Sequence, residues 1–148
     1  MKKELTIFYT DDDIDDLDFF REIVDSLEQD YNVVTQNSGQ QLLDALYNPP
    51  PNPFLIFLDI NMPGMNGLET LKKLRLKENL KLLPVVIFST SNDEAIIDQS
   101  RELGATFYVT KSGNFNELKK SIAYVLSINW GNFVTTDENF VYHNNKNQ

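Results

Sequence analysis

The stretch 54-FLIFLDINMPGMNG-67 places one carboxylate, that of Asp59, directly behind five consecutive apolar residues. Apolar residues at successive rather than alternate positions are typical of a strand that is covered on both faces, as in a parallel sheet. Short runs of the same character recur on both sides of this stretch. The sequence therefore predicts five buried strands: Leu5–Thr10, Tyr31–Thr35, Phe54–Asp59, Val85–Ser89 and Thr106–Lys111.

A helix-start signal follows each predicted strand. Asp13 opens the first helix, and Gly104 ends the fourth. In a capping box, the cap residue and the residue three positions later each satisfy a free N–H at the helix start. This form begins at four positions: Ser38, Asn66, Ser91 and Asn114. Strand–helix alternation repeated five times predicts an α/β fold, a doubly wound five-stranded parallel sheet with helices on both faces.

The composition excludes several kinds of site. The 148-residue chain carries a net charge of −9, and a chain this acidic repels nucleic acid and anionic membranes. It has no cysteine, which excludes disulfides, iron–sulfur clusters and thiolate chemistry. The first apolar run, Leu5–Tyr9, is too short for a signal peptide, and no run approaches membrane-spanning length. We therefore expect a cytoplasmic protein.

The C-terminal part of the sequence differs from the rest. Residues 1–127 hold the repeated strand–helix units, whereas residues 128–148 form a polar tail that is rich in Asn and Thr. Four aromatic residues are scattered through this tail: Trp130, Phe133, Phe140 and Tyr142. The composition favours a partly disordered terminus. The other interpretation is an aromatic clip that folds back on the domain or meets a partner.

Acidic side chains stand at the ends of two predicted strands. Asp11 and Asp12 follow the first strand, and Asp59 ends the third. In open α/β sheets, ligands bind beyond the carboxyl ends of the strands, so three carboxylates meet in one cleft if these strands are neighbours. Carboxylates at such short distances repel one another, and a hard divalent cation such as Mg²⁺ relieves the repulsion. The pattern predicts a magnesium site.

The remaining acids of 11-DDDIDDLD-18 have a simpler interpretation. A solvated acidic face near a helix N-terminus is favoured by the helix dipole. This interpretation covers the acids at or inside the start of the first helix: Asp13, Asp15, Asp16 and Asp18. It does not fit the two acids that precede the helix.

Two further polar residues end predicted strands. Ser89 ends the fourth strand and Lys111 the fifth, so both would stand at the same sheet edge as Asp59. Taken singly, they are a turn serine and a surface lysine. Taken together with the carboxylates, they supply a nucleophile, a metal site, a hydroxyl donor and a cation, which are the groups that phosphoryl transfer needs.

The sequence resembles the receiver domains of two-component response regulators over about residues 4–127. The resemblance rests on the acid pair after the first strand and on three phrases: 58-LDINMPGMNG-67, 84-PVVIFSTS-91 and 104-GATFYVTK-111. It implies that residues 1–127 form a receiver domain. It also implies a flavodoxin-like (βα)₅ fold with strand order 2-1-3-4-5.

The resemblance also implies roles for individual residues. Asp59 would be the phosphoacceptor, with Ser89 bonding the phosphoryl group and Lys111 pairing with it. Tyr108 would be the aromatic switch that follows the movement of Ser89. Mg²⁺ or Mn²⁺ would be held by three carboxylates and one backbone carbonyl. Asp12 would bind it directly and Asp11 through water, and Asp59 and the carbonyl of Asn61 would complete the set.

One departure from the family pattern concerns the residue after Lys111. Receiver domains usually have a proline there, preceded by a cis peptide bond, but this chain has Ser112. Because a cis peptide is costly without proline, we predict a trans bond between Lys111 and Ser112.

The implied function is a signalling module rather than an enzyme. A sensor histidine kinase or a histidine phosphotransfer protein would donate the phosphoryl group, and an unknown target protein would bind the altered surface. Members of the family often form homodimers through the face between the fourth and fifth helices, so the resemblance implies a possible homodimer of this kind. No nucleic-acid or membrane partner is expected.

Three other functions share some of these features. A phosphatase of the haloacid-dehalogenase type also forms an aspartyl phosphate, but it needs an acid at the position of Asn61. A flavin or nucleotide binder would need N–H groups and hydroxyls after the first strand, where this chain has acids. A constitutive docking module would need none of the site chemistry.

Overall fold

The computed structural model describes residues 5–49 and 53–143, in which five strands and five helices alternate. The strands are β1 (Leu5–Thr10), β2 (Tyr31–Gln36), β3 (Pro53–Leu58), β4 (Val85–Ser89) and β5 (Phe107–Thr110). The helices are α1 (Ile14–Asp25), α2 (Gly39–Tyr47), α3 (Gly67–Arg75), α4 (Glu94–Glu102) and α5 (Phe115–Ser127), and a single 3₁₀ turn spans Glu78–Leu80.

The strands form one parallel sheet in the order β2-β1-β3-β4-β5. This order and the alternation of elements confirm the predicted fold. β3 and β5 each end one residue earlier than the sequence predicts. Asp59 and Lys111 therefore stand just beyond their strands, in the loops at the sheet edge.

Two apolar cores sandwich the sheet, and β3 contributes to both. Leu55 and Phe57 pack into the core that α1 and α5 cover. Ile56 and Leu58 pack into the core that α2, α3 and α4 cover. Since successive side chains of a strand point to opposite faces, a strand between two cores has to be apolar at every position.

Side chains cap four of the five helix starts at the predicted residues, and at Asn66 the N–H also donates to the Glu69 side chain, which completes the capping box. The predicted caps that accept backbone N–H bonds are Asp13, Ser38, Asn66 and Asn114. The prediction for Ser91 is wrong, because Asp93 caps α4 by accepting the N–H of Ala95 at 2.8 Å. The carbonyl of Ser91 instead accepts the hydroxyl of Tyr108 at 2.7 Å, which keeps Ser91 in the preceding loop. Gly104 follows α4 with φ of 103°, as a helix-ending glycine should.

The C-terminal segment, residues 128–143, packs onto the domain. Trp130 and Phe140 are buried. The N–H of Tyr108 in β5 donates to the carbonyl of Phe140 at 2.8 Å, and the N–H of Tyr142 donates to the carbonyl of Tyr108 at 2.9 Å. These two bonds form a parallel β-bridge between Tyr108 and Val141 on the outer edge of β5.

The prediction of a partly disordered terminus is therefore wrong for residues 128–143. An edge strand leaves a row of unpaired N–H and C=O groups, and the segment supplies partners for them. Its aromatic side chains join both apolar cores. The aromatic clip that folds back on the domain is the interpretation that the structure supports, and residues 144–148 lie outside the described residues.

Side-chain contacts with α4 and with α5 hold the C-terminal segment on the face between these two helices. Arg101 of α4 forms an ion pair with Asp137 at 3.4 Å, and its guanidinium lies 5.8 Å from the centre of the Phe140 ring. At the other side, the rings of Tyr124 in α5 and Tyr142 are 5.2 Å apart. A homodimer through this face, which the family resemblance implies, would therefore contact the segment as well as the helices.

The prediction of a trans bond after Lys111 is met within the described part of the chain. All its peptide bonds are trans, including the bond between Lys111 and Ser112. None of its helices combines the length and the apolar character that crossing a bilayer requires.

Candidate functional site

The register between β1 and β3 brings the first acids together. Thr10 lies opposite Leu58, so the next residues, Asp11 and Asp59, leave the sheet side by side. The N–H of Asp59 donates to the carbonyl of Thr10 at 3.0 Å. The N–H of Asp11 donates to the carbonyl of Gln36 at 3.0 Å on the other side. These backbone hydrogen bonds therefore fix the positions of both acids independently of their side-chain contacts.

Three carboxylates converge at this edge. Oxygens of Asp11, Asp12 and Asp59 lie within 4.8 Å of one another. Asp11 and Asp59 are 1 % and 5 % exposed, whereas Asp12 faces solvent. Burial raises the pKa of Asp59 to about 7; the ammonium of Lys111 opposes the rise, and the charges of Asp11 and Asp12 add to it. An oxygen-only donor set with this excess of negative charge fits a hard divalent cation such as Mg²⁺ or Mn²⁺.

The ammonium of Lys111 lies among the carboxylates. Its Nζ is 2.5 Å from Oδ2 of Asp11, 3.0 Å from Oδ2 of Asp16 and 3.7 Å from Oδ1 of Asp59. Burial lowers the pKa of Lys111, but the charges and hydrogen bonds of its carboxylate neighbours outweigh that effect and leave the pKa above its ordinary value. The lysine is therefore a buried, charged donor that stands beside Asp59.

Tyr9 is a site neighbour that the sequence analysis missed. Its hydroxyl donates to Oδ2 of Asp11 at 2.5 Å, while the N–H of Asp13 donates to Oδ1 at 3.0 Å. Burial raises the pKa of the Tyr9 hydroxyl, and the adjacent Asp11 carboxylate adds to the rise, so the group stays a proton donor. Residues two apart on a strand share a face, which is the signal that could have found this pair.

Asp16 also has a role that the sequence analysis missed. The sequence interpretation assigned it, with Asp13, Asp15 and Asp18, to a solvated acidic face on α1. That interpretation is incomplete for Asp16, because its carboxylate bonds the buried ammonium of Lys111. The two residues are 95 positions apart, and no local pattern indicates the contact.

Ser89 ends β4, the strand next to β3, and Tyr108 lies in β5, the strand beyond β4. Tyr108 pairs with Ile87, so it shares a sheet face with Ser89 two residues later. The hydroxyl of Ser89 accepts the N–H of Ser91 at 3.3 Å, and the hydroxyl of Tyr108 donates to the carbonyl of Ser91 at 2.7 Å. Both side chains are fully buried. The N–H of Lys111 donates to the carbonyl of Ser89 at 2.8 Å, which joins the two strand ends.

The loop after Asp59 is held against the site by its backbone. The N–H groups of Met62 and Gly67 both donate to the carbonyl of Ile60, at 3.0 and 2.9 Å. A Cβ on Gly67 would come within 2.1 Å of the carbonyl oxygen of Asp59, so this position needs glycine. Asn61 lies in this loop, exposed to solvent, and the use of its carbonyl as a metal ligand stays a prediction.

Comparison with known proteins gives a family and close structural relatives. The family model described as the response regulator receiver domain matches residues 7–123. The response regulator Rcp1 of Synechocystis is 31 % identical over 134 residues, which cover 87 % of this chain and 90 % of that protein. An Mn²⁺-bound crystal structure of response regulator Rcp1 has a TM-score of 0.76 at 29 % identity and covers 88 % of this chain and 97 % of that one.

Two further relatives differ from each other in how much of their own length this chain matches. The phosphorylated cyanobacterial phytochrome response regulator RcpA has a TM-score of 0.79 at 29 % identity, with coverage of 90 % of this chain and 98 % of that one. A protein-glutamate methylesterase/protein-glutamine glutaminase of Trichodesmium erythraeum is 37 % identical over 118 residues, 76 % of this chain but only 32 % of that protein. The response regulators are matched over nearly their whole length, whereas the methylesterase is matched over only part of its length. The chain belongs to the response regulator receiver domain family.

Proposed function

We propose that the protein is a phosphorylation-controlled binding module in which Asp59 accepts a phosphoryl group from a sensor histidine kinase or a histidine phosphotransfer protein. The observation that carries this proposal is the convergence on Asp59 of the ammonium of Lys111 and the carboxylates of Asp11 and Asp12. These groups come from three separate strand ends. A structural role would need neither the buried carboxylate nor the buried lysine.

The chemistry assigned to the chain is a phosphoryl transfer between two nucleophiles. The ionised carboxylate of Asp59 attacks phosphorus in line, a carboxylate O–P bond forms, and the N–P bond of the donor phosphohistidine breaks with its electron pair on the imidazole. The ammonium of Lys111 stabilises negative charge on the transferred oxygens. Asp11, Asp12, Asp59 and the carbonyl of Asn61 would hold Mg²⁺ or Mn²⁺, which would supply the positive charge that this transfer requires.

The output is a change of surface. In this proposal Ser89 moves to bond the phosphoryl group, and Tyr108 gives up its bond to Ser91 and turns into the released space. Tyr108 also carries the backbone bonds to Phe140 and Tyr142, so the change reaches the C-terminal segment as well as α4 and α5. The phosphoryl group acts by binding one of two conformations better than the other.

We also infer a cytoplasmic, non-enzymatic protein whose chemistry is limited to its own phosphorylation and dephosphorylation. The haloacid-dehalogenase type of phosphatase is not favoured, because Asn61 occupies the position of its acid. A constitutive docking module would bind its target equally well in the wild type and in Asp59→Asn. A pull-down that compares phosphorylated protein with this variant separates the two readings.

The direct test is the intact mass after incubation with Mg²⁺ and acetyl phosphate. We expect one phosphate adduct on the wild type and on Asp25→Asn, which removes an exposed acid of α1 away from the site. We expect no adduct on Asp59→Asn. An equal adduct on Asp59→Asn, or its absence from wild type with both acetyl phosphate and a phosphohistidine donor, contradicts the proposal.

A further inference from the structure

Lys111 needs a specific support in this protein. A lysine has a flexible four-carbon stem, so its ammonium takes one position only where neighbours hold it. A cavity of about 180 Å³ lies beside Lys111, and its lining includes Asp16, Ser112 and Gly113. The stem therefore has room to swing away from Asp59. Something other than close packing has to hold the charge at the site.

Two carboxylates hold the ammonium. Asp11 at 2.5 Å and Asp16 at 3.0 Å each accept one hydrogen bond from Nζ. An ammonium has three N–H donors, so one remains. Asp59 is 3.7 Å away, an ion-pair distance that is too long for a good hydrogen bond. The third donor is thus left for an acceptor that arrives at Asp59.

The two supports are not equivalent. Asp11 belongs to the cluster of three carboxylates that fits a divalent cation, and Asp16 does not. Asp16 stands in the first turn of α1, where the cap residue Asp13 accepts the N–H groups of both Asp15 and Asp16 and fixes the helix start. The Asp16 carboxylate therefore bonds Lys111 without belonging to the cluster that fits the cation.

From this geometry we propose that Asp16 is a positioning residue for the phosphoryl-transfer site. It holds the ammonium of Lys111 beside Asp59 so that the remaining N–H can bond a phosphoryl oxygen. This role rests on the proposed function for its consequence in phosphorylation. The ion pair itself is a property of the protein without metal or phosphate.

The first experiment detects the ion pair between Asp16 and Lys111 without measuring phosphorylation. The ammonium ¹H–¹⁵N signal of Lys111 is recorded by NMR in metal-free protein, with Lys111→Met to assign it. A buried ammonium bonded to two carboxylates exchanges its protons slowly, so we expect the signal in wild type and in Asp18→Asn. Asp18→Asn is the matched control, since it removes the same charge from an exposed position of α1. We expect the signal to disappear in Asp16→Asn.

The second experiment measures the rate of phosphorylation by acetyl phosphate as the donor concentration is varied. We expect Asp16→Asn to lower the maximal rate constant about tenfold. This is the effect of losing the charge-assisted hydrogen bond that a well-placed Lys111 ammonium gives to the phosphoryl group in the transition state. The donor concentration at half-maximal rate should stay unchanged, because Asp16 does not contact the donor. Asp18→Asn should match wild type in both quantities, and thermal melting should show all three proteins folded.

The outcomes separate this proposal from the proposed function. A Lys111 signal and a rate in Asp16→Asn that equal those of Asp18→Asn overturn the positioning role. A lost signal with an unchanged rate also overturns it, because the ion pair would then be structural only. If wild type takes no phosphate from any donor, the proposed function fails and the role in phosphorylation fails with it, whereas the NMR comparison still decides whether Asp16 holds Lys111.

Discussion

Two edges of the same sheet are built on opposite principles. At the carboxyl-end edge, Asp11, Asp12 and Asp59 bring like charges together, and burial leaves Asp59 with a pKa of about 7. At the outer edge of β5, the C-terminal segment adds two backbone hydrogen bonds and the fully buried ring of Phe140. The buried charge of Asp59 lowers the stability of the folded chain, and the buried ring of Phe140 raises it. Substitutions of Asp59 and of Phe140 should therefore change stability with opposite sign.

The largest effect is expected at the β5 edge. Truncation of Phe140 to alanine removes a ring that is 0 % exposed and leaves a cavity, so Phe140→Ala should lower the free energy of unfolding by about 4 kcal/mol. Urea unfolding at fixed pH without metal measures it. Val134→Ala is the control in the same segment, because Val134 is 73 % exposed and should change stability by less than about 0.5 kcal/mol. Equal effects of the two variants would mean that the segment does not pack as described.

The next effect has the opposite sign and lies at the carboxyl-end edge. The pKa of Asp59 is about 7 in the folded chain against an ordinary 3.8 in the unfolded chain. Between these values the folded chain holds a proton that the unfolded chain has lost, so stability falls as the pH rises and the loss is complete above pH 7. Asp59→Asn removes this penalty, and a pKa difference of about three, at about 1.4 kcal/mol for each pKa unit, should raise the unfolding free energy at pH 8 by about 4 kcal/mol.

The measurement for Asp59→Asn is urea unfolding of metal-free protein at pH 5 and pH 8. The gain over wild type should be less than half as large at pH 5 as at pH 8, because the loss of stability begins at the unfolded pKa and is complete only above pH 7. Asp25→Asn, which removes an exposed carboxylate of the same charge, should show no such difference. A gain that is the same at both pH values would assign the effect to something other than the ionisation of Asp59.

The contrast between the edges also explains what the sequence could predict. β3 is apolar at consecutive positions because two cores cover it, and parallel strands must end at one edge. Those two facts put the strand ends on one edge, and the strand order that the family resemblance implies makes Asp11 and Asp59 neighbours there. The contact of Asp16 with Lys111 could not be predicted from the sequence, because it depends on the distance between α1 and the loop after β5. Only the fold determines that distance.

The C-terminal segment was misjudged for a different reason. Its Asn and Thr content resembles that of disordered chains, and composition weighs every residue equally. Phe140 is buried because an edge strand with unpaired backbone groups lies within its reach, and the sequence of the segment does not contain that information. A free strand edge in a predicted fold is therefore a reason to look for the segment that covers it.

A cation should reveal the carboxyl-end edge without any substitution. A ligand that binds only the folded chain stabilises it by about 1.4 kcal/mol when present at ten times its dissociation constant. Titration with Mg²⁺ should therefore raise the melting temperature of wild type. Phe140→Ala should melt lower but respond to Mg²⁺ by the same free energy, whereas Asp59→Asn should respond less. A response that is lost in Phe140→Ala would mean that the two edges are coupled in the resting protein.

The smallest effect tests what holds the C-terminal segment at the β5 edge. Asp137 pairs with Arg101 at 3.4 Å, but the side chain of Asp137 is 88 % exposed. Exposed pairs of this kind contribute less than about 1 kcal/mol, and Arg101 keeps its second partner, Asp98, at 3.3 Å. Asp137→Asn should therefore change the unfolding free energy by no more than about 0.5 kcal/mol, and added salt should not enlarge the change. If its cost approached that of Phe140→Ala, charge rather than burial would hold the segment, and the opposition between the two edges would not stand.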